Sequence, residues 1–167
     1  MFKLAAFAVI ISVTSFLGNN FAYLLKKRVV TLKKMNYLID EIIILLRYKA
    51  STVYEISSHL SSDTRFSDFV FLQSISQTTE CSFQQNWCSA VEKQKPDSLG
   101  KEDISVLCDI GRKLGTSDLE GQISTLKLQQ SEVETLILSA ESEYNRKAKL
   151  YRSLGVLSGA FVVVMLI

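Results

Sequence analysis

Proline and glycine are scarce, at one and seven in 167 residues. Disordered, collagen-like and turn-dense β-sandwich chains need more of both, so long unbroken helices are the expectation. Histidine and cysteine number only one and three. That is too few for a disulfide framework, and their spacing offers no quorum for a structural zinc site. Cys81 and Cys88 suit neither a redox pair nor a zinc knuckle, and with Cys108 they are expected to be small buried apolar residues. His59 is the one histidine, too few for a histidine-based site, and reads as a surface or boundary residue. The chain also lacks a P-loop, a dinucleotide-binding glycine fingerprint, a zincin histidine pair and a nucleophile elbow. No catalytic, metal-binding or cofactor-binding residues are therefore expected, and no enzyme. A pI near 8.4 argues against a nucleic-acid partner. Phe66, Phe69, Phe71, Phe83 and Trp87 have only Arg65 among them, which suits a core rather than a base-stacking platform.

Charge is missing from both ends. Residues 4–25 carry none, and neither do residues 154–167. As a helix the first segment would be about 33 Å long, enough to cross a hydrocarbon core. The second would be about 21 Å, short enough to require local thinning of the bilayer and snorkelling by Arg152. A cleaved signal peptide is the competing reading of the first segment. However, Phe16, Leu17, Gly18, Asn19 and Asn20 stand where small residues should mark a cleavage site. Both segments are expected to be retained transmembrane helices.

Basic residues gather beside these ends. Lys26, Lys27, Arg28, Lys33 and Lys34 follow the first, against Lys3 alone before it; Arg146, Lys147, Lys149 and Arg152 precede the second. The positive-inside rule then places the middle of the chain in the cytosol and both termini across the membrane. With those ten set aside, nine of the 19 basic residues remain against all 17 acidic ones, a balance of about −8 in the middle.

That middle reads as helical throughout. Met35, Leu38, Ile39, Ile42, Leu45 and Leu46 form an amphipathic stripe. Thr52 to Glu55 has the form of a capping box, Ser82 can cap a helix bearing Trp87, Ala90 and Val91, and a third helix is expected between them over residues 66–75. Pro96 to Gly100 signals a loop, and a helix follows from about Lys101 to Leu114. Gly115 suits a left-handed helix end, and Ser117 to Glu120 reads as another capping box. From Ile123 the apolar spacing through Leu126, Gln130, Val133, Ile137, Ala140 and Tyr144 resembles a coiled-coil seam. Gly155 and Gly159 form a GxxxG pattern for close helix approach, and Ala8 and Ser12 offer the same spacing in the first span.

The expected architecture is an all-α cytosolic bundle between two transmembrane helices. Its divisions are a span over 1–25, a cytosolic helical domain over 26–153 and a span over 154–167. Lobes 26–95 and 101–153 would part near Pro96.

The corner at 110–122, Ile-Gly-Arg-Lys-Leu-Gly-Thr-Ser-Asp-Leu-Glu-Gly-Gln, resembles the stage III sporulation protein AB family. Residues 38–48, 87–91 and 154–159 are similar to further stretches of that family. Val53 departs from its pattern, which tends to place proline after the threonine. The resemblance implies a non-enzymatic two-pass platform in the mother-cell membrane facing the forespore. It also implies likeness to the cytoplasmic domain of the type II secretion inner-membrane platform protein. The implied partners are a secretion-type ATPase, other membrane proteins of the stage III sporulation machinery and membrane lipid, with self-association open. Gly111, Leu114, Gly115, Asp118 and Gln122 are the corner residues it singles out, as a structural joint or a partner-facing surface. An alternative reading without the resemblance is a membrane-anchored signalling or scaffolding coiled coil.

Overall fold

The computed structural model is all-α, with no strand among the described residues. It describes the backbone of residues 2–49, 51–75 and 81–166, and the side chains of residue 10 and of 12–49, 51–75 and 81–165. Five helices run in order: α1 Phe2–Lys49, α2 Val53–Ser62, α3 Phe83–Lys93, α4 Lys101–Lys113 and α5 Leu119–Leu166. The chain divides into two compact units, Met1–Val29 with Leu138–Ile167, and Val30–Ile137.

In the second unit, α1 contributes Leu32, Met35, Leu38, Ile39, Ile42, Leu45 and Leu46 to the core, at the three- and four-residue steps that place one helical face inward. The N-terminal part of α5 answers with Ile123, Leu126, Val133 and Leu136. Gln130 Nε2 donates to Asp40 Oδ1 at 2.8 Å and fixes the register of the pair. Along this face Gln129 is buried and Gln130 sits at the edge, so the stripe drifts by a residue from a strict heptad.

The short helices start where side chains can satisfy their free N–H groups. Thr52 Oγ1 accepts from the Glu55 amide while the Glu55 carboxylate accepts from the Thr52 amide, and Ser82 with Gln85 repeats the arrangement at α3. At α4 the buried Asp103 carboxylate accepts from the Gly100 amide at 2.8 Å, beside the positive end of the helix dipole. Between α3 and α4 the chain turns at Pro96, whose carbonyl accepts from the Leu99 amide.

The third helix expected over 66–75 does not form. Two 3₁₀ turns, Thr64–Phe66 and Val70–Ser74, take its place. Asp63 starts the first by accepting from the Arg65 amide, and the next bonds step by three, from Phe66 to Asp63, Phe69 to Phe66 and Leu72 to Phe69. Packing explains the preference. On an α-helix Phe69 and Phe71 would point about 200° apart, and one would face water. The tighter turns bury Phe66, Phe69, Phe71 and Leu72 together.

In the other unit α1 and α5 run antiparallel with their backbones in contact. A Cβ at Gly18 would lie 2.4 Å from the Tyr151 carbonyl oxygen, and one at Gly155 would lie 2.8 Å from that of Thr14 and 3.2 Å from Gly18 Cα. Gly159 is buried one turn on from Gly155. The small residue that meets Gly155 is thus Gly18, rather than Ala8 or Ser12 as the spacing suggested. Ser12 is on an exposed face, and the Ala8 side chain lies outside the described residues. The reason is steric: only a residue without Cβ fits the crossing point. Phe21 and Tyr151 stack beside it with ring centroids 5.7 Å apart.

Gly18→Leu and Gly155→Leu are each expected to force the two helices apart, at about 1–3 kcal/mol, the usual range for overpacking. Disulfide cross-linking in membranes of a Phe21→Cys/Tyr151→Cys pair should fall in both variants and persist in Ser12→Leu. Equal cross-linking in all three would show that the crossing does not depend on these glycines.

Candidate functional site

The corner between α4 and α5 is built from three side chains and one unusual backbone angle. α4 ends as the Leu114 amide donates back to the Gly111 carbonyl at 3.3 Å. Gly115 then adopts φ +73°, the left-handed conformation that glycine reaches without steric cost. Gln84 Nε2, from α3, donates to the Leu114 carbonyl at 2.7 Å. Gln122 reaches back across the turn: its Oε1 accepts from the Gly115 amide at 2.9 Å and its Nε2 donates to the Ser117 carbonyl at 2.7 Å. Three backbone groups that the helix ends cannot pair are thereby satisfied.

Asp118 holds the residue position just before α5, one place later than a box starting at Ser117 would have it, and its carbonyl accepts from the Gln122 amide at 2.9 Å. Gly121 leaves room for it, because a Cβ there would lie 2.7 Å from Asp118 Oδ1. Leu114 is fully buried, whereas residues 115–120 are all exposed, including the apolar Leu119. The turn is thus held from within by Leu114, Gln84 and Gln122 and presents its outer face to solvent.

Beneath the corner lies Trp87. A Cβ on Gly111 would come within 2.1 Å of the indole ring, so the ring fills the space that any other residue would need. Trp87 Nε1 donates to the Leu107 carbonyl at 2.9 Å in the interior, satisfying the one polar atom of the ring. Phe71 meets the indole edge-on at 5.2 Å, Phe83 lies at 5.8 Å, and Tyr54 meets Phe83 at 5.3 Å. The aromatics singled out in the sequence form the core of this unit.

Two of the three cysteines depart from expectation, and Cys108 meets it. Cys81 is exposed, Cys88 half-buried and Cys108 buried. Cys88 lies against Glu92 on α3 and against Cys108 and Arg112 on α4, with Arg112 Nη2 3.6 Å from Cys88 Sγ and Cys88 Sγ 3.8 Å from Glu92 Oε1. Burial pushes the Cys108 thiol up to about 12. Cys88 and Glu92, four apart on α3, were a visible pair; Cys108 joins them only through the packing of α3 on α4. His59 is exposed.

In the other unit the two basic collars share one acid. Glu143 accepts from Lys147 Nζ at 2.6 Å and from Arg28 Nη1 at 3.3 Å. The Lys147 hydrogen bond holds the Glu143 carboxyl below its usual range. Lys26, Lys27, Arg146, Lys149 and Arg152 lie on the exposed surface. By length and composition one described helix, α5, is long and apolar enough to cross a membrane.

A family model described as stage III sporulation protein AB matches residues 3–167, nearly the whole chain. No curated protein and no solved structure matches it.

Gly111→Ala should destabilise the chain by about 1–3 kcal/mol, because the new methyl group overlaps the indole. Gln122→Ala should cost less, about 0.5–1.5 kcal/mol in total, because water replaces both of its hydrogen bonds at a solvated turn. Chemical denaturation of both variants, followed by tryptophan fluorescence, checks the order. A Gly111→Ala protein as stable as its parent would show that Trp87 has another place to go.

Proposed function

The chain belongs to the stage III sporulation protein AB family, and we propose that within it the chain is a non-enzymatic membrane platform subunit. In this reading it joins a cytosolic secretion-type ATPase to the membrane assembly of the sporulation machinery. The observation that carries the reading is the corner: a turn tied internally by Gln84 and Gln122, with residues 115–120 exposed around Leu119. A surface that passes force or position to a partner must hold its shape without the partner, and these hydrogen bonds supply that rigidity.

The membrane frame of the proposal is two-pass, with the middle of the chain in the mother-cell cytosol. Large apolar side chains face outward in the unit formed by the two ends, among them Phe16, Phe21, Leu154, Leu157, Phe161 and Val164. Lipid covers such a surface without cost, whereas water does not. Basic collars next to both ends agree in sign with that orientation. The coiled-coil alternative is less well supported, because Ile123, Leu126 and Val133 are buried within the chain and Gln130 is bonded to Asp40.

Two measurements test the proposal. Reporters fused before Met1, within 55–100 and after Ile167 should read outside, cytosol and outside; a middle reporter outside would overturn the frame. Asp118→Ala and Leu119→Asp, both at the exposed turn, should reduce co-purification of the ATPase and sporulation while circular dichroism and thermal midpoint stay near those of the parent. Undiminished association in well-folded variants would make the corner purely structural.

A further inference from the structure

Three ligand-type side chains converge beside the indole. The Cys88 and Cys108 thiols and the Glu92 carboxylate lie within 4.8 Å of one another, although Cys108 is twenty residues away and on a different helix. We propose that Cys88, Glu92 and Cys108 form a binding site for a thiophilic divalent cation of the zinc class, which braces α3 to α4.

The ligand set selects the ion. Two sulfurs exclude calcium and magnesium, which prefer oxygen ligands, and two cysteines are too few for an iron–sulfur cluster. In a tetrahedral zinc site with bonds near 2.3 Å, neighbouring sulfurs lie about 3.8 Å apart, so the present side chains need to close by at most about 1 Å. Placement favours the same conclusion. Cys88 and Glu92 are one turn apart on α3 and share a face, and Cys108 faces them from α4. The adjoining residues Trp87 and Leu107 are already joined by a 2.9 Å hydrogen bond, which fixes the approach of the two helices at this level.

Charge and access are also consistent. Two thiolates and a carboxylate carry three negative charges; a divalent cation offsets two, and the Arg112 guanidinium, 3.6 Å from Cys88 Sγ and shared with Asp109 at 2.9 Å, lies against the third. Arg112 then acts as an outer partner donating to a bound sulfur. The fourth coordination position opens onto a cleft of about 240 Å³ lined by Gln84, Gln85, Ser89 and Arg112, where water completes the tetrahedron. A bare disulfide between Cys88 and Cys108 is the competing chemistry, but it leaves Glu92 without a role and needs the sulfurs at about 2.05 Å.

The site is independent of the platform reading. Full-length protein in detergent, reduced and stripped by a chelator, would be titrated with Co²⁺ and then Zn²⁺. One Co²⁺ per chain should appear with a near-ultraviolet thiolate-to-cobalt charge-transfer band and visible bands of tetrahedral intensity, discharged by Zn²⁺, and Zn²⁺ should raise the thermal midpoint. Cys88→Ser and Cys108→Ser should weaken binding by no less than the roughly tenfold that outer-shell partners cost. Cys88 is half-exposed, so its variant is expected to fold. Glu92→Gln should keep the charge-transfer band and bind more weakly, and Cys81→Ser should behave as the parent. Absence of the band in the parent, or its loss on Cys81→Ser, would overturn the proposal. So would a Cys88–Cys108 disulfide in protein trapped from cells, with no Co²⁺ uptake after its reduction.

Discussion

The unit that carries the corner depends on an indole packed directly against a glycine. Trp87 takes the volume that a side chain at 111 would occupy, and its single polar atom is used up on the Leu107 carbonyl. This contact brings α3 close to α4 and seats Phe71 and Phe83 around the ring. It also leaves Gln84 within reach of the Leu114 carbonyl at the end of α4. From there the chain has one way to turn, through the positive φ of Gly115 and into the grip of Gln122. The geometry of the exposed turn is therefore inherited from a buried aromatic contact.

The same close approach explains how a ligand cluster can exist in a chain with so few cysteines. Residues 87 and 107 are hydrogen-bonded, so residues 88 and 108, next along each helix, are neighbours as well. Arg112 and Glu92 lie one turn beyond on their respective helices and reach the same thiol. Nothing more than helix periodicity and one fixed contact is needed to assemble the four groups.

Legibility in the sequence followed the range of the interaction. Capping at Thr52 and Ser82 and the helix end at Gly115 are local, since each is settled by residues within one turn, and all were readable. The burial of Met35 to Leu46 followed from spacing alone. Residues 66–75 were misread because helical spacing accounts for Phe66 and Phe69 but not for Phe71, whose place is decided by Trp87 on another helix. Gly18 was overlooked because the partner of Gly155 depends on the register of two helices far apart in sequence. Gln122 stands out in the corner motif, but its two hydrogen bonds are not legible there, since they depend on a turn that forms only after Gly115.

Register itself has a cost in the α1–α5 pair of this unit. Gln129 is buried there with its side-chain oxygen unpaired, and so is the oxygen of Asn36. A leucine at either place would remove a desolvation penalty of about 1–3 kcal/mol per unsatisfied group. It would also remove the markers by which one sliding of the helices differs from the next, because an all-apolar stripe of Leu and Ile accepts several registers. The Gln130–Asp40 hydrogen bond, at 2.8 Å, joins polar side chains of the two helices in the alignment observed and is lost in any other. A seam tuned in this way is a poor dimer interface and a good internal one. That distinction, more than its apolar spacing, separates a helix pair within one chain from a free coiled coil.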